Sequence, residues 1–381
     1  MDLVESAADH EFRLEARDWL QHNRPAESLP SPDASREAFE ANRAWERVLF
    51  EAGWAAVSWP VEYGGRGLGL WEWMIFEEEY FAAGLGPRAA QNGMFLLAPS
   101  LFEFGTEAQK AALLPRIAGV EDMWAQGWSE PEAGSDLAGV RVNARRDDAA
   151  GGWRVNGQKT WSTRAPFCNR LFALVRTDPE STRHHGLSYL LIDLEAPGVT
   201  VRPVRKLGDQ IGFGEIFFDD VFVSDADVLG EVGQGWKVAM ATTGSERGLI
   251  LRSPGRFLAS AQRLVDLCRK TPDASAAQRR DVTEAWIRAQ AYRYGGMKTM
   301  TRIAEGGSIG AESSINKVFW SEMDVRAHEI ALDLLAERAE IDTDWWHGFI
   351  TSMATPIFAG TNEIQRNIVA ERVLGMPRSG R

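Results

Sequence analysis

Trp153-Arg154-Val155-Asn156-Gly157-Gln158-Lys159-Thr160-Trp161 lies in the middle zone, about 122–231, where the period of the sequence changes. Before it, apolar residues recur at three- and four-residue spacing; here the chain turns to short runs suited to strands. Asn156-Gly157 tolerates the positive φ angles of a tight type I′ turn, so the stretch reads as two short strands folded about that dipeptide. Residues 171–176, 188–193, 199–204 and 215–223 read as further strands, separated by turn residues. Together they describe a compact β-barrel or sandwich.

Helices lie on both sides of this unit. Residues 11–21, 36–52 and 71–83 carry apolar side chains at helical spacing. Residues 24–35, rich in Pro, Ser and Ala, form a loop between the first two helices, and Tyr63-Gly64-Gly65-Arg66-Gly67-Leu68-Gly69 is a flexible connector. From Gly233-Gln234-Gly235-Trp236 onward the chain is helical, with a loop at 271–277. Helix, then strand, then helix predicts an α+β fold with an inserted β unit. The boundaries fall at 1–121, 122–232 and 233–381.

Composition narrows the function. The 381 residues carry a formal charge of -12, which argues against a general nucleic-acid binder while leaving room for an anionic small ligand at a local basic patch. No apolar run reaches the roughly 18 residues of a membrane span. Two cysteines, Cys168 and Cys268, cannot build a disulfide framework and fit a reducing, cytoplasmic setting. Residues 1–20 are acidic and amphipathic, unlike a secretion signal. Fifteen tryptophans suit flat-faced sites or interfaces. Several short motifs fail. Gly233-Gln234-Gly235 lacks a third glycine and a βαβ setting, Gly127-Trp128-Ser129 lacks the last glycine of a nucleophile elbow, and adjacent His184-His185 point to opposite faces of a strand. No Cys/His spacing suggests a metal.

Two segments stand above this background. Gly127-Trp128-Ser129-Glu130-Pro131-Glu132-Ala133-Gly134-Ser135-Asp136-Leu137-Ala138-Gly139 is one, and Ile357-Phe358-Ala359-Gly360-Thr361-Asn362-Glu363-Ile364-Gln365-Arg366, continuing to Leu374-Gly375, is the other. Both resemble signatures of the acyl-CoA dehydrogenase family of flavoproteins. Residues 54–69, 104–106, 158–163 and 229–236 resemble it in the same order, so the likeness spans about 36–378. It implies an N-terminal helical domain, a central β domain and a C-terminal four-helix bundle. The implied reaction is FAD-dependent oxidation of an acyl-CoA thioester to the α,β-unsaturated thioester. That chemistry needs a base for the α proton, donors to the enolate-like oxygen and a cofactor that takes the β hydride.

The resemblance also assigns residues. Gln126 and Ser129 match main-chain and hydroxyl contacts to the isoalloxazine ring, and Trp161 and Thr163 match a Trp-x-Thr on the ring's other side. From residue type alone, Trp161 reads instead as a strand residue filling a core. Thr361 and Glu363 match positions near the FAD ribityl and phosphate region, and Thr361 also suits a helix N-cap. Ser135 matches a loop that touches the acyl chain. Cys268–Arg280 replaces the Arg-x-x-Phe-Gly segment of many members, so no residue is assigned to the adenine.

The second signature departs from the commonest family pattern where most members carry the catalytic glutamate. Here that residue is Ala359, whose methyl group cannot take a proton. A minority branch supplies the base from the first long helix of the C-terminal domain, at a Glu-Arg pair, and this chain has Ser245-Glu246-Arg247 there. Glu246 is the candidate base. The N–H of Ala359 still serves as a donor to the thioester oxygen, with Gly360 beside it, and Arg247 is placed beside the CoA or acyl end or in an ion pair. Glu246-Arg247-Gly248 and the ending at 366–378 look most like actinobacterial members acting on bulky, branched or ring-bearing acyl-CoA esters, steroid breakdown products included. The resemblance further implies a homo-oligomer (dimer or tetramer) or a heterotetramer, with an electron-transfer flavoprotein as electron acceptor. Two rival readings are a non-catalytic partner subunit of a heteromeric dehydrogenase and a flavin monooxygenase or oxidase on the same fold.

Overall fold

The computed structural model describes residues 5–247, 253–307, 309–341 and 343–378, with the backbone alone at 245–247 and 343. Five α-helices come first: α1 (Ala7–Asn23), α2 (Arg36–Glu51), α3 (Leu70–Ala82), α4 (Ala98–Phe104) and α5 (Glu107–Ala118). Strands follow as β1 (Trp124–Gly127), β2 (Asn143–Asp147), β3 (Gly152–Thr163), β4 (Arg170–Arg176), β5 (Leu187–Asp193), β6 (Val199–Val204), β7 (Phe213–Ser224) and β8 (Val228–Leu229). The rest is α6 (Gly235–Arg247), α7 (Pro254–Arg269), α8 (Ala276–Ala304), α9 (Ser313–Leu335), α10 (Thr343–Ser352) and α11 (Asn362–Ile368). By contact these form two compact units. One holds residues 25–68 and 86–245; the other holds the chain up to 24, residues 69–85 and the chain from 246 on.

The first unit is built on one mixed sheet in the order β6-β7-β3-β2-β4-β5-β8, with β1 pairing parallel to β4. Its core is aliphatic and aromatic: Val155, Leu171, Ala173, Leu190, Ile192, Ile216 and Val221 are sealed from water.

One expectation is corrected here. Asn156-Gly157 is not a hairpin turn, because β3 runs unbroken through it for 12 residues. The turn lies earlier, between Asp147 and Gly152, which pair across β2 and β3. At Asn156 the sheet carries a bulge instead. Val155 pairs with Val221 and Gly157 with Phe218, so one residue of β3 stands opposite two of β7. The Asn156 side-chain oxygen accepts from the extra N–H, that of Asp220, at 2.9 Å. Gly157 has φ +133°, and a β-carbon there would meet Val142 at 3.0 Å. The dipeptide's tolerance of unusual φ is used, but by a bulge.

In the second unit α7 packs on α8, α9 and α3, with α10 and α11 against α9. Gly255 lets α7 approach α3 closely, since a β-carbon there would stand 2.7 Å from the Glu77 carbonyl oxygen. Neighbouring Glu78 and Glu79 on α3 are buried and tied to arginines of two other helices. Arg13 bridges Glu78 at 3.0 Å and Glu79 at 2.8 Å, Arg17 reaches Glu79 at 2.8 Å, and Arg293 reaches Glu78. Burial alone would raise the Glu79 carboxyl; hydrogen bonds and charge from Arg17 and Arg13 outweigh it and hold it low.

Candidate active site

In the sheet unit the first signature and the Trp161-Ser162-Thr163 stretch are brought side by side. The N–H of Thr160 donates to the Ser129 carbonyl at 2.9 Å, joining the end of β3 to the loop after β1. Gln126 lies on β1, half-buried and in register with Phe172, and Ser129 is half-buried two residues past the strand. Ser135 is exposed on the loop beyond, whose base is closed by paired bonds between the main chains of Glu130 and Ala133, at 2.9 and 3.1 Å.

Trp161 does not fill the core. The residue is 61% exposed, and its backbone takes φ +56°, a left-handed value rare for a bulky residue. The cause is a second irregularity: Lys159 pairs with Ile216 and Ser162 with Gly214, so Thr160 and Trp161 together stand opposite Glu215. The bulge turns the indole outward, edge-on to Phe213 with ring centres 6.0 Å apart. Thr163 follows, half-buried, its carbonyl accepting from the Asn92 side chain at 3.4 Å.

Two buried cations bracket this bulge, and the sequence reading passed over both. Lys159, wholly buried, lies before it. Arg164, with φ +60°, lies just after Thr163. Its guanidinium donates to Asp33 at 2.6 Å and to the carbonyls of Arg88 and Ala89 at 2.6 and 2.9 Å. Lys206 reaches the other Asp33 oxygen at 3.3 Å. Burial would raise the Asp33 carboxyl, but Arg164 and Lys206 outweigh it and hold it below the usual aspartate value. A carboxyl lower in the folded state stabilises the fold above its unfolded pKa, and this stabilisation is lost as pH falls through the folded value. Chemical unfolding of the wild type and of Asp33→Asn should therefore differ most near neutral pH. The gap should narrow steadily from about pH 4 downward; a constant gap would place the Asp33 contribution outside its charge.

In the helical unit the second signature forms a tight corner. Ala359 and Gly360 are consecutive left-handed residues, φ +58° and +77°. The Gln365 side chain donates to both of their carbonyls, at 2.9 and 3.3 Å. Among the described residues no acceptor takes the Ala359 N–H. Thr361 caps α11, its hydroxyl accepting from the Ile364 N–H at 3.3 Å. Asn362 fixes the corner from behind. Its side-chain oxygen accepts from the fully buried Lys317 at 2.8 Å and from Ser321 at 3.0 Å. Glu363 is exposed in the first turn, and its own backbone N–H and the Thr361 hydroxyl keep its carboxyl low.

The backbone of α6 includes Glu246 and Arg247, but their side chains lie outside the described residues. One turn earlier, Thr242 is fully buried and bonded to Ser100 at 2.7 Å and to the Val238 carbonyl at 3.0 Å.

Sequence models of the acyl-CoA dehydrogenase N-terminal, middle and C-terminal domains match residues 6–121, 125–221 and 233–374. Acyl-CoA dehydrogenase IpdE1 of Mycolicibacterium smegmatis is 39% identical, with 97% of this chain and 98% of that protein covered. The chain belongs to the acyl-CoA dehydrogenase family. Other acyl-CoA dehydrogenases resemble it too: IpdE1 of Mycobacterium tuberculosis is 40% identical over 97% of this chain and 98% of its own. Among solved structures, a steroid acyl-CoA dehydrogenase named Tcur3481-Tcur3483 superposes with TM-score 0.88 at 27% identity, covering both chains fully. The ChsE4-ChsE5 complex of Mycobacterium tuberculosis gives TM-score 0.84 at 27% identity, again over both whole chains. The α+β fold expected from sequence is thus the acyl-CoA dehydrogenase fold, and the family is one of flavin oxidoreductases acting on acyl-CoA.

Proposed function

We propose that this acyl-CoA dehydrogenase binds FAD and desaturates a bulky, ring-bearing acyl-CoA thioester, with Glu246 as the base. The observation that carries the base assignment is the corner at Ala359, where the residue before Gly360-Thr361 offers a methyl group and an N–H that no described acceptor takes. A site that has lost a carboxylate there and kept the donor needs its base from another element. Position 246 follows the anchored Thr242 by four residues, which puts both positions on the same side of α6.

The residues present suit a flavin. An isoalloxazine is a flat ring with a polar edge, and the sheet unit offers an outward indole, the hydroxyls of Ser129 and Thr163, and the main chain near Gln126. When bound, FAD supplies the acceptor for the β hydride. In this reading Thr361 and Glu363 lie towards its ribityl and phosphate region. The Ala359 N–H donates to the thioester oxygen, and Glu246 accepts the α proton. Ser135 meets the acyl chain, Gly360 lies beside the thioester, and Arg247 lies towards the CoA or acyl end. The ring-bearing substrate class is inferred from likeness to the steroid acyl-CoA dehydrogenase. A cytoplasmic location, an electron-transfer flavoprotein as acceptor and assembly with a second copy or a related chain belong to the same proposal, the last supported by likeness to the two-component ChsE4-ChsE5 complex.

The test is anaerobic bleaching of the bound flavin by straight, branched and cyclic acyl-CoA esters. Faster bleaching by ring-bearing esters is the expected outcome, and faster bleaching by straight chains would overturn the substrate class. A protein that holds FAD but is bleached by none would favour the non-catalytic partner reading that Ala359 also allows.

A further inference from the structure

We propose that Lys159 is a positioning residue: through Glu130 it locks the Ser129 loop and the Trp161 bulge into one surface before FAD arrives. The inference rests on the flavin reading above and concerns residues of the sheet unit alone. Lys159 is wholly buried in the middle of β3. Its ammonium donates to the Trp128 carbonyl at 3.0 Å, to Glu130 at 2.7 Å and to the Leu174 carbonyl on β4 at 2.7 Å. All three of its donors are thus used. The Glu130 carboxylate is held in turn, accepting also from the main-chain N–H groups of Arg141 and Val142 at 2.6 and 2.9 Å.

This node sits between the two segments that matter. Glu130 follows Ser129 directly, Trp128 precedes it, and Lys159 is the last paired residue before the bulge that turns Trp161 outward. The Thr160 N–H to Ser129 carbonyl bond crosses the same junction. A buried ion pair of this kind is a poor source of stability, since desolvation cancels most of its attraction, and an apolar pair of similar volume would serve packing as well. What it supplies is uniqueness. Three convergent acceptors admit one register of loop against strand, whereas an apolar side chain would admit several.

The experiment compares wild type with Lys159→Arg, Lys159→Gln and Lys159→Met, and with Leu190→Ala as a packing control in the same core. Each apoprotein is melted, titrated with FAD, and its bound flavin recorded by visible circular dichroism. The Lys159 variants that fold are expected to bind FAD at least about tenfold more weakly, a change of about 1.4 kcal/mol, with altered flavin bands. Leu190→Ala should melt lower and keep both FAD affinity and bands. Lys159 variants that keep wild-type affinity and bands would overturn the proposal. A second measurement needs no variant: amide exchange of wild-type apoprotein should show segments 126–131 and 158–164 already protected together, with little gain on adding FAD. A large gain confined to those segments would mean that FAD orders them, and the positioning role would fall. If wild type takes up no FAD at all, the flavin reading itself fails; if it does and the variants match it, only the role of Lys159 fails.

Discussion

Exchanging Glu246 for Gln should slow bleaching of the bound flavin by acyl-CoA roughly 10²–10⁴-fold, the usual contribution of a positioned general base, while the purified protein stays yellow. The amide keeps the size and most of the hydrogen-bonding capacity of the carboxyl group but cannot accept the α proton. Substrate binding should therefore change little, and the loss should appear in the rate at saturating thioester rather than in the concentration needed for half saturation. No carboxylate stands at the corner before Gly360 to take over, since residue 359 is alanine. Stopped-flow absorbance at the flavin band measures the rate directly. A variant that bleaches as fast as wild type would remove Glu246 from the mechanism and send the search for a base to another element.

Replacing Arg164 with Met should destabilise the fold by about 3–5 kcal/mol, the usual cost of stranding one partner of a buried ion pair. Arg164 is almost fully buried, and its loss leaves Asp33 with Lys206 alone, at 3.3 Å. It also leaves the carbonyls of Arg88 and Ala89 without the donor they share. The effect should be larger than that of Asp33→Asn, which keeps the cation and both carbonyl contacts. Urea unfolding of the two variants side by side decides this: a loss within about 1 kcal/mol of wild type for Arg164→Met would mean that water or a neighbouring side chain replaces the guanidinium.

Much of the architecture was legible because period and composition report it directly. Helical spacing marks α1, α2 and α3, and the short strands at 171–176 and 215–223 stand within a residue or two of β4 and β7. What failed was phase. Reading Asn156-Gly157 as a turn broke β3 in two, and with it the count that would have set Lys159 on the inward side. A lysine in mid-strand with a glutamate in a nearby loop signature is a usable sign of a buried pair, but only once the strand is known to be continuous. Residue type alone points Trp161 to the core for a related reason: the bulge that faces it outward depends on the pairing of β3 with β7, about 50 residues away in sequence, and has no local mark. Arg164 and Asp33 are 131 residues apart, and nothing in either neighbourhood announces the other. The corner at 357–366, by contrast, was readable because its glycine, cap residue and helix start are contiguous.

The bulge at Asn156 also bears on how the molecule ages. Asn-Gly is the dipeptide most given to deamidation, a reaction in which the glycine nitrogen attacks the asparagine side chain and closes a five-membered imide. Closure needs the Gly157 nitrogen to reach the side-chain carbonyl carbon, and here the Asn156 side chain is anchored to the Asp220 N–H and Gly157 is held in register with Phe218. Isoaspartate at position 156 should therefore form more slowly in the folded protein than in the chain unfolded by urea, a difference that peptide mapping of samples stored in the two states reads directly.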